Sequence, residues 1–204
     1  MNGALAVLTG YALGSFPSAY IAGRIVLGAD LRTRGSGNLG ATNVYREVGL
    51  VAAIVVLAVD ALKGWVAAAL VPGWFALATT GWWPVALGAA AVAGHAKPVF
   101  LLGKGGGKGV ATSGGVFLAL APIAVAIAAG AFALTVALTR FVSAGSLVSA
   151  VVLPVAVAVI KGPASPAFVV CTALATFVIW AHRGNIRKLA RGEERKLGRP
   201  GAAS

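Results

Sequence analysis

Acidic residues are scarce in this chain of 204 residues: 5 Asp and Glu stand against 17 Lys and Arg, a formal net charge of +12. Charged residues of either sign make up only 11%, against about 25% in soluble domains, which argues against an ordinary water-soluble fold. The single cysteine, Cys171, lies in an apolar run, so neither a disulfide framework nor a cysteine-based zinc site can form. There is no carboxylate cluster and no His-Glu-x-x-His, so no metal and no cofactor is expected. What is present is apolar: 59% of residues are hydrophobic and runs of about 20 recur along the chain, the length that spans a bilayer. A basic excess on such a chain points to membrane insertion rather than nucleic acid, since nucleic-acid readers carry their cations on soluble scaffolds.

The first run, Leu5 to Leu27, has no Lys or Arg before it, carries Arg24 near its end and is followed by Arg32 and Arg34, the reverse of a cleaved signal peptide. Val48 to Val71, interrupted by Asp60 and Lys63, makes a second span, and Pro84 to Leu102 a third, its last turns broken at Gly94, His95 and Pro98. Between them, Pro72 to Trp83 carries no charge but holds Trp74, Trp82 and Trp83, the mark of an outside loop with an interfacial aromatic belt. Phe141 to Ile160 and Ala164 to Ala181 are two further spans. The 30 residues Val110 to Thr139 make either one long span or two short ones joined near Pro122. Parity favours two: only then do 15 of the 17 basic residues share one side, which the positive-inside rule makes cytoplasmic. The expected fold is therefore all-α, a polytopic membrane bundle of seven transmembrane helices, N-terminus outside and C-terminus cytoplasmic. Residues 1–181 form the bundle and residues 182–204 a basic tail. Small residues four apart, such as Gly10 and Gly14, allow helix backbones to approach closely.

Three polar segments then face the cytoplasm. The first, Arg32 to Asn43 with Arg46 just beyond, is almost entirely small, hydrogen-bonding or cationic. Backbone N–H groups around Gly35, Gly37 and Gly40, ahead of a helix N-terminus, suit an anion; the alternative is a flexible loop whose arginines only set topology. The second, His95 to Lys108, contains Gly103-Lys-Gly-Gly-Gly-Lys-Gly109, which fails the nucleotide P-loop pattern because three residues intervene instead of four and Gly109 follows Lys108. It retains the physical character of a phosphate-binding turn, with a flexible linker as the alternative. The third is His182-Arg-Gly-Asn185, where an i, i+3 spacing puts both side chains on one helical face. Asp60 and Lys63 can pair within their span, for structure or for function, and Lys63 is expected not to reach a cytoplasmic pocket. His95 suits a base, a phosphate donor or an interior histidine.

Taken together, Ser36-Gly-Asn-Leu-Gly-Ala-Thr-Asn43, Gly94-His-Ala-Lys-Pro-Val-Phe100, the lysine-glycine turn into Gly109-Val-Ala-Thr112, and His182-Arg-Gly-Asn-Ile-Arg-Lys-Leu-Ala-Arg-Gly-Glu193 resemble the acyl-phosphate:glycerol-3-phosphate acyltransferase family, PlsY. The likeness covers nearly the whole chain. It departs in one additional Gly between Lys104 and Lys108 and in Ala181, where the family commonly has Arg. The resemblance implies a bacterial inner-membrane enzyme of phospholipid biosynthesis, its active site facing the cytoplasm, that moves an acyl group from acyl phosphate to glycerol 3-phosphate. It implies catalytic roles for Ser36, Arg46, His95, Lys104, His182 and Asn185. Substrate or phosphate contacts would come from Gly37, Asn38, Gly40, Thr42, Asn43, Gly105, Gly106 and Lys108.

Acyl phosphate is already activated, so the acceptor hydroxyl can attack directly without an acyl-enzyme. No motif carboxylate is available as base; His95, His182 or a substrate phosphate oxygen must take the proton, and the resemblance favours the last. The acyl chain is expected to enter laterally between helices, with its phosphate at the rim. The rival reading is a membrane transporter of a phosphorylated small anion. Apart from substrates the expected partner is membrane lipid; the tail lacks the interleaved aromatics of a nucleic-acid binder.

Overall fold

Proline and glycine, not polar residues, divide the apolar runs into helices. The computed structural model describes residues 1–198; Arg199, the last basic residue of the tail, lies outside them. The described residues are all-helical: α1 (Asn2–Gly14), α2 (Ser18–Leu27), α3 (Ala41–Glu47), α4 (Leu50–Ala69), α5 (Val71–Trp74), α6 (Trp82–Ala96), α7 (Val110–Leu120), α8 (Pro122–Thr139), α9 (Val142–Lys161), α10 (Pro166–Ala181) and α11 (Arg183–Ala190). Pro17, which has no N–H and disfavours helix at the residue before it, separates α1 from α2. Pro122 does the same between α7 and α8, where Ala121 turns to φ −151° and proline takes the first helical position, which needs no donor. The expected break near Pro122 is therefore present.

Five segments are long and apolar enough to cross a membrane: α1 with α2, α4, α6 with the turn after it, α8, and α9. The pair α10 and α11, bent by 54° at His182, passes the same test only when taken as one span, which would make a sixth. At 11 residues, α7 is about 16 Å long, half of the hydrocarbon thickness. The chain is a multi-pass membrane protein, and its outer surface fits that: Ile25, Val51, Ile54, Leu138 and Val159 point outward, an apolar exterior that water would not tolerate. Trp74 and Trp82 are exposed at the predicted aromatic loop.

Packing between helices relies on missing side chains. A methyl group on Gly14 would collide with the Ala91 carbonyl of α6, and one on Gly94 with the Tyr11 carbonyl of α1. In the same way Gly64 of α4 sits on the Thr112 carbonyl, and Gly115 of α7 on the Ala61 carbonyl. Without a solvent-driven collapse in lipid, such close backbone contact is what holds helices together. The short α7 becomes the hub, its Val116 and Phe117 buried against Val92, Ala124, Val157 and Cys171. A second apolar cluster, Ala19, Leu31, Leu39, Val44 and Val56, lies beneath the first polar loop and anchors it.

Candidate active site

The first polar loop folds around its own polar atoms. Asp30 accepts from the Arg32 backbone N–H at 3.0 Å and pairs with the Arg32 guanidinium at 2.6 Å, which holds its carboxyl below the usual carboxylate range. Gly35 and Gly37 turn the chain at φ +58° and +69°, angles that a side chain would resist. Buried Asn43 closes the turn: its Oδ1 accepts from the Ser36 N–H at 2.9 Å and its Nδ2 donates to the Arg34 carbonyl at 3.2 Å. The amide of Asn43 is thus engaged within the loop. The loop then turns into α3, a separate two-turn helix that the sequence did not distinguish from the second span; Gly49, at φ +126°, divides α3 from α4.

The glycine-rich turn docks on this loop. The Leu39 N–H donates to the Gly106 carbonyl at 3.2 Å, and Arg32 Nη1 donates to the Lys104 carbonyl at 3.1 Å. Lys104 is exposed, and its side chain is not part of the cavity wall. Gly105, Gly106 and Lys108 are part of it, so the cation supplied by this turn is Lys108. Of the two lysines, only Lys108 is part of the cavity wall.

The cavity has a volume of about 800 Å³. Its wall combines polar and cationic groups, among them Ser36, Asn38, Thr42, Arg46, Lys108, Ser146, Ser149, His182 and Asn185 with the backbone of Gly37 and Gly40, with the apolar Val125, Ala128, Phe132, Ala150, Leu153 and Leu174. The three segments predicted to converge do meet. Lys108 Nζ donates to Asn185 Oδ1, joining the second segment to the third. Burial lowers the Lys108 pKa from its ordinary 10.5; Glu194 pushes it back up, while Arg46 and Lys188 lower it further.

Glu194 went unnoticed in the sequence because it sits in a basic tail. The tail folds back across the cavity: Glu194 Oε1 accepts from Ser143 Oγ at 2.7 Å and from Asn185 Nδ2 at 2.8 Å, and Arg46 Nη2 donates to the Arg195 carbonyl at 3.0 Å. Leu197 N–H bonds to the Arg140 carbonyl at 2.7 Å. A carboxylate is thereby set among the cations of the site.

Lys63 stays out of the cavity wall, as expected, but it reaches that wall through His95. Lys63 Nζ lies 2.8 Å from His95 Nδ1, pairs with Asp60 Oδ1 at 2.8 Å, and donates to the Phe16 carbonyl at 3.2 Å. The break at Pro17 is what frees that carbonyl from a helical ladder, and the close approach of α1 to α6 carries the broken end to Lys63. Ser18 Oγ donates to Asp60 Oδ1 at 2.8 Å. Asp60 and His95 both line the cavity. His182 is buried at the bend between α10 and α11, its Nδ1 2.8 Å from the Val178 carbonyl. Ser113, another residue with no signal in the sequence, lines the cavity with a buried hydroxyl that has no partner among the described residues.

A helical bundle with an apolar exterior, around a cavity walled by cations, hydroxyls and apolar side chains, defines an integral-membrane protein with an amphipathic site. A model of the glycerol-3-phosphate acyltransferase family matches residues 4–192. Curated glycerol-3-phosphate acyltransferases are 42% identical in Bacillus velezensis, over 95% of this chain and 97% of that protein, and 45% identical in Synechococcus sp. strain JA-3-3Ab, over 100% and 98%. Crystal structures of PlsY, an integral membrane glycerol 3-phosphate acyltransferase, superpose with a TM-score of 0.86 in both the glycerol 3-phosphate and the lysophosphatidic acid forms. They are 32% and 30% identical and cover 97% of this chain and 96% of theirs. The chain belongs to the glycerol-3-phosphate acyltransferase family and is an acyltransferase.

Proposed function

We propose that this enzyme transfers a fatty acyl group from acyl phosphate to the 1-hydroxyl of glycerol 3-phosphate, giving 1-acylglycerol 3-phosphate and inorganic phosphate. The observation that carries the reading is a cavity whose wall holds Arg46, Lys108, Asn185 and the Ser36–Thr42 loop together with apolar side chains such as Phe132, Leu153 and Leu174. Two phosphorylated substrates need cations and backbone donors at one end, and a fatty chain needs hydrocarbon walls. Arg46 and Lys108 neutralise phosphate, and Ser36, Asn38, Thr42 and the N–H groups of Gly37, Gly40, Gly105 and Gly106 orient it. Asn185 and His182 hold the acceptor beside the acyl carbon. Lys104, at the rim, attracts anionic substrate without touching it.

The acceptor oxygen attacks the acyl carbon, the bond from that carbon to the bridging phosphate oxygen breaks, and the hydroxyl proton passes to a phosphate oxygen of substrate. Placement and charge neutralisation supply the acceleration, with no acyl-enzyme formed. Seven segments cross the membrane in this reading, α7 only partly, with the N-terminus outside. Residues 1–181 form the bundle, and the tail of residues 182–204 lies with the site on the cytoplasmic side of a bacterial inner membrane. The distribution of basic residues supports that orientation.

A transporter would carry its solute across unchanged, whereas the curated relatives of this chain are named acyltransferases. Release of inorganic phosphate by purified protein in lipid, given acyl phosphate with and without glycerol 3-phosphate, tests the proposal. Acceptor-dependent release supports it, and solute flux without release refutes it.

A further inference from the structure

Three acceptors surround the Lys63 ammonium: Asp60 Oδ1 at 2.8 Å, the Phe16 carbonyl oxygen at 3.2 Å and His95 Nδ1 at 2.8 Å. An ammonium has three hydrogens and no lone pair, so it can only donate. The first two acceptors are oxygens without hydrogens. The third can satisfy the remaining N–H only if Nδ1 carries a lone pair. Asp60 does not compete for that position, because its Oδ1 is 3.6 Å from His95 Nδ1, beyond hydrogen-bonding distance, and already accepts from Lys63 and from Ser18 Oγ. We infer that Lys63, braced by Asp60 and the Phe16 carbonyl, holds His95 as the Nε2–H tautomer, so that this cavity-lining ring is a hydrogen-bond donor to substrate oxygen and not a proton acceptor.

The surrounding packing agrees with a ring held in one orientation. His95 Nε2 lies against Gly107, where a side chain would overlap the imidazole, and the Gly107 N–H donates to the His95 carbonyl at 3.1 Å. The other histidine is set the opposite way. A carbonyl oxygen can only accept, so His182 Nδ1, 2.8 Å from the Val178 carbonyl, carries the hydrogen and leaves the Nε2 lone pair free. Lys63 and Asp60 are therefore positioning residues that act through His95. What the Nε2–H donates to rests on the acyl-transfer reading above; the tautomer itself does not.

The chain has 2 histidines, so full-length protein labelled with 15N-histidine in lipid nanodiscs gives two imidazole spin systems, and His182→Gln assigns them. The expected wild-type result is protonated Nε2 and unprotonated Nδ1 for His95, and the reverse for His182. In Lys63→Met the His95 hydrogen moves to Nδ1, facing Asp60. Phosphate-release kinetics supply a second reading, because a glutamine side-chain amide can replace an Nε2–H donor but cannot act as a base. His95→Ala is expected to lose about a hundredfold in kcat, the scale of a lost transition-state donor, and His95→Gln to recover about tenfold of it. A wild-type His95 protonated at Nδ1 or at both nitrogens, or equal losses in the Ala and Gln variants, overturns the inference. Absence of acceptor-dependent turnover in the wild type would defeat the acyl-transfer reading and leave the tautomer result standing.

Discussion

Asn185 and Glu194, nine residues apart, are joined side chain to side chain: Asn185 Nδ2 donates to Glu194 Oε1 at 2.8 Å while Asn185 Oδ1 accepts from Lys108. The amide is thereby held between a cation and an anion, each of which fixes one end of it.

Removing the anion should release that amide. Glu194→Ala loses bonds to Asn185 and Ser143 and leaves the neighbouring cations less compensated, with an expected loss of about 2 kcal/mol of stability. Activity should fall with it. Glu194→Gln keeps an oxygen acceptor and should retain most of the stability. Thermal unfolding in detergent, read beside phosphate release, separates the two.

Lys108 carries a pH dependence whose sign follows from burial. Its lowered pKa means that the ammonium is lost at a lower pH than in an ordinary lysine. Since phosphate binding needs the charge, kcat/KM for glycerol 3-phosphate should decline on the alkaline side, starting below the usual lysine range. Lys108→Arg should move that limb upward, because guanidinium stays charged. Glu194→Gln should move it downward, because it removes the influence that raises the Lys108 pKa.

The two lysines of the glycine-rich turn should differ sharply. Lys108→Met is expected to lower kcat/KM about a hundredfold, the scale of a missing buried charge-assisted contact. Exposed Lys104→Met should cost about threefold, as expected for weak attraction at the rim. Steady-state kinetics with acyl phosphate saturating decides it, and equal losses would return Lys104 to the site.

Ser113 offers a separation of stability from function. Its buried, partnerless hydroxyl costs the folded state, so Ser113→Ala should leave stability unchanged or raise it by about 1 kcal/mol. If that hydroxyl donates to substrate, turnover should nevertheless fall about tenfold. Wild-type turnover in this variant would make Ser113 a packing residue.

Close backbone packing can be tested away from the cavity chemistry. Gly14→Val pushes a branched side chain into the Ala91 carbonyl and should destabilise by on the order of 3 kcal/mol through overpacking. Gly130, outside the cavity wall and with nothing near its Cβ position, should accept Ala with little change in unfolding temperature.

Much was legible from local chemistry. Apolar runs of bilayer length, proline breaks and glycine spacing are short-range signals, so the helical class, the break near Pro122 and the close-packed Gly14 surface could be read directly. The Ser36–Asn43 loop and the His182–Asn185 pair were legible because phosphate chemistry needs small, polar and cationic residues together. Long-range juxtaposition was not. Lys63 was set aside because position along a helix says nothing about a neighbour's broken end, and it took the Pro17 break and the packing of α1 on α6 to bring the Phe16 carbonyl and His95 to it. Glu194 was lost in a basic tail until that tail folded back to Ser143.

The order of residues by itself determined that this chain lives in a bilayer, is helical, and gathers small, polar and cationic residues in three short segments, since hydropathy, proline and glycine act over a few residues. Only the tertiary structure decided which lysine of the glycine turn meets the site, which histidine leans on Lys63, and where the one tail carboxylate goes. Those outcomes depend on contacts between residues dozens of positions apart, and such contacts exist only once the helices have packed.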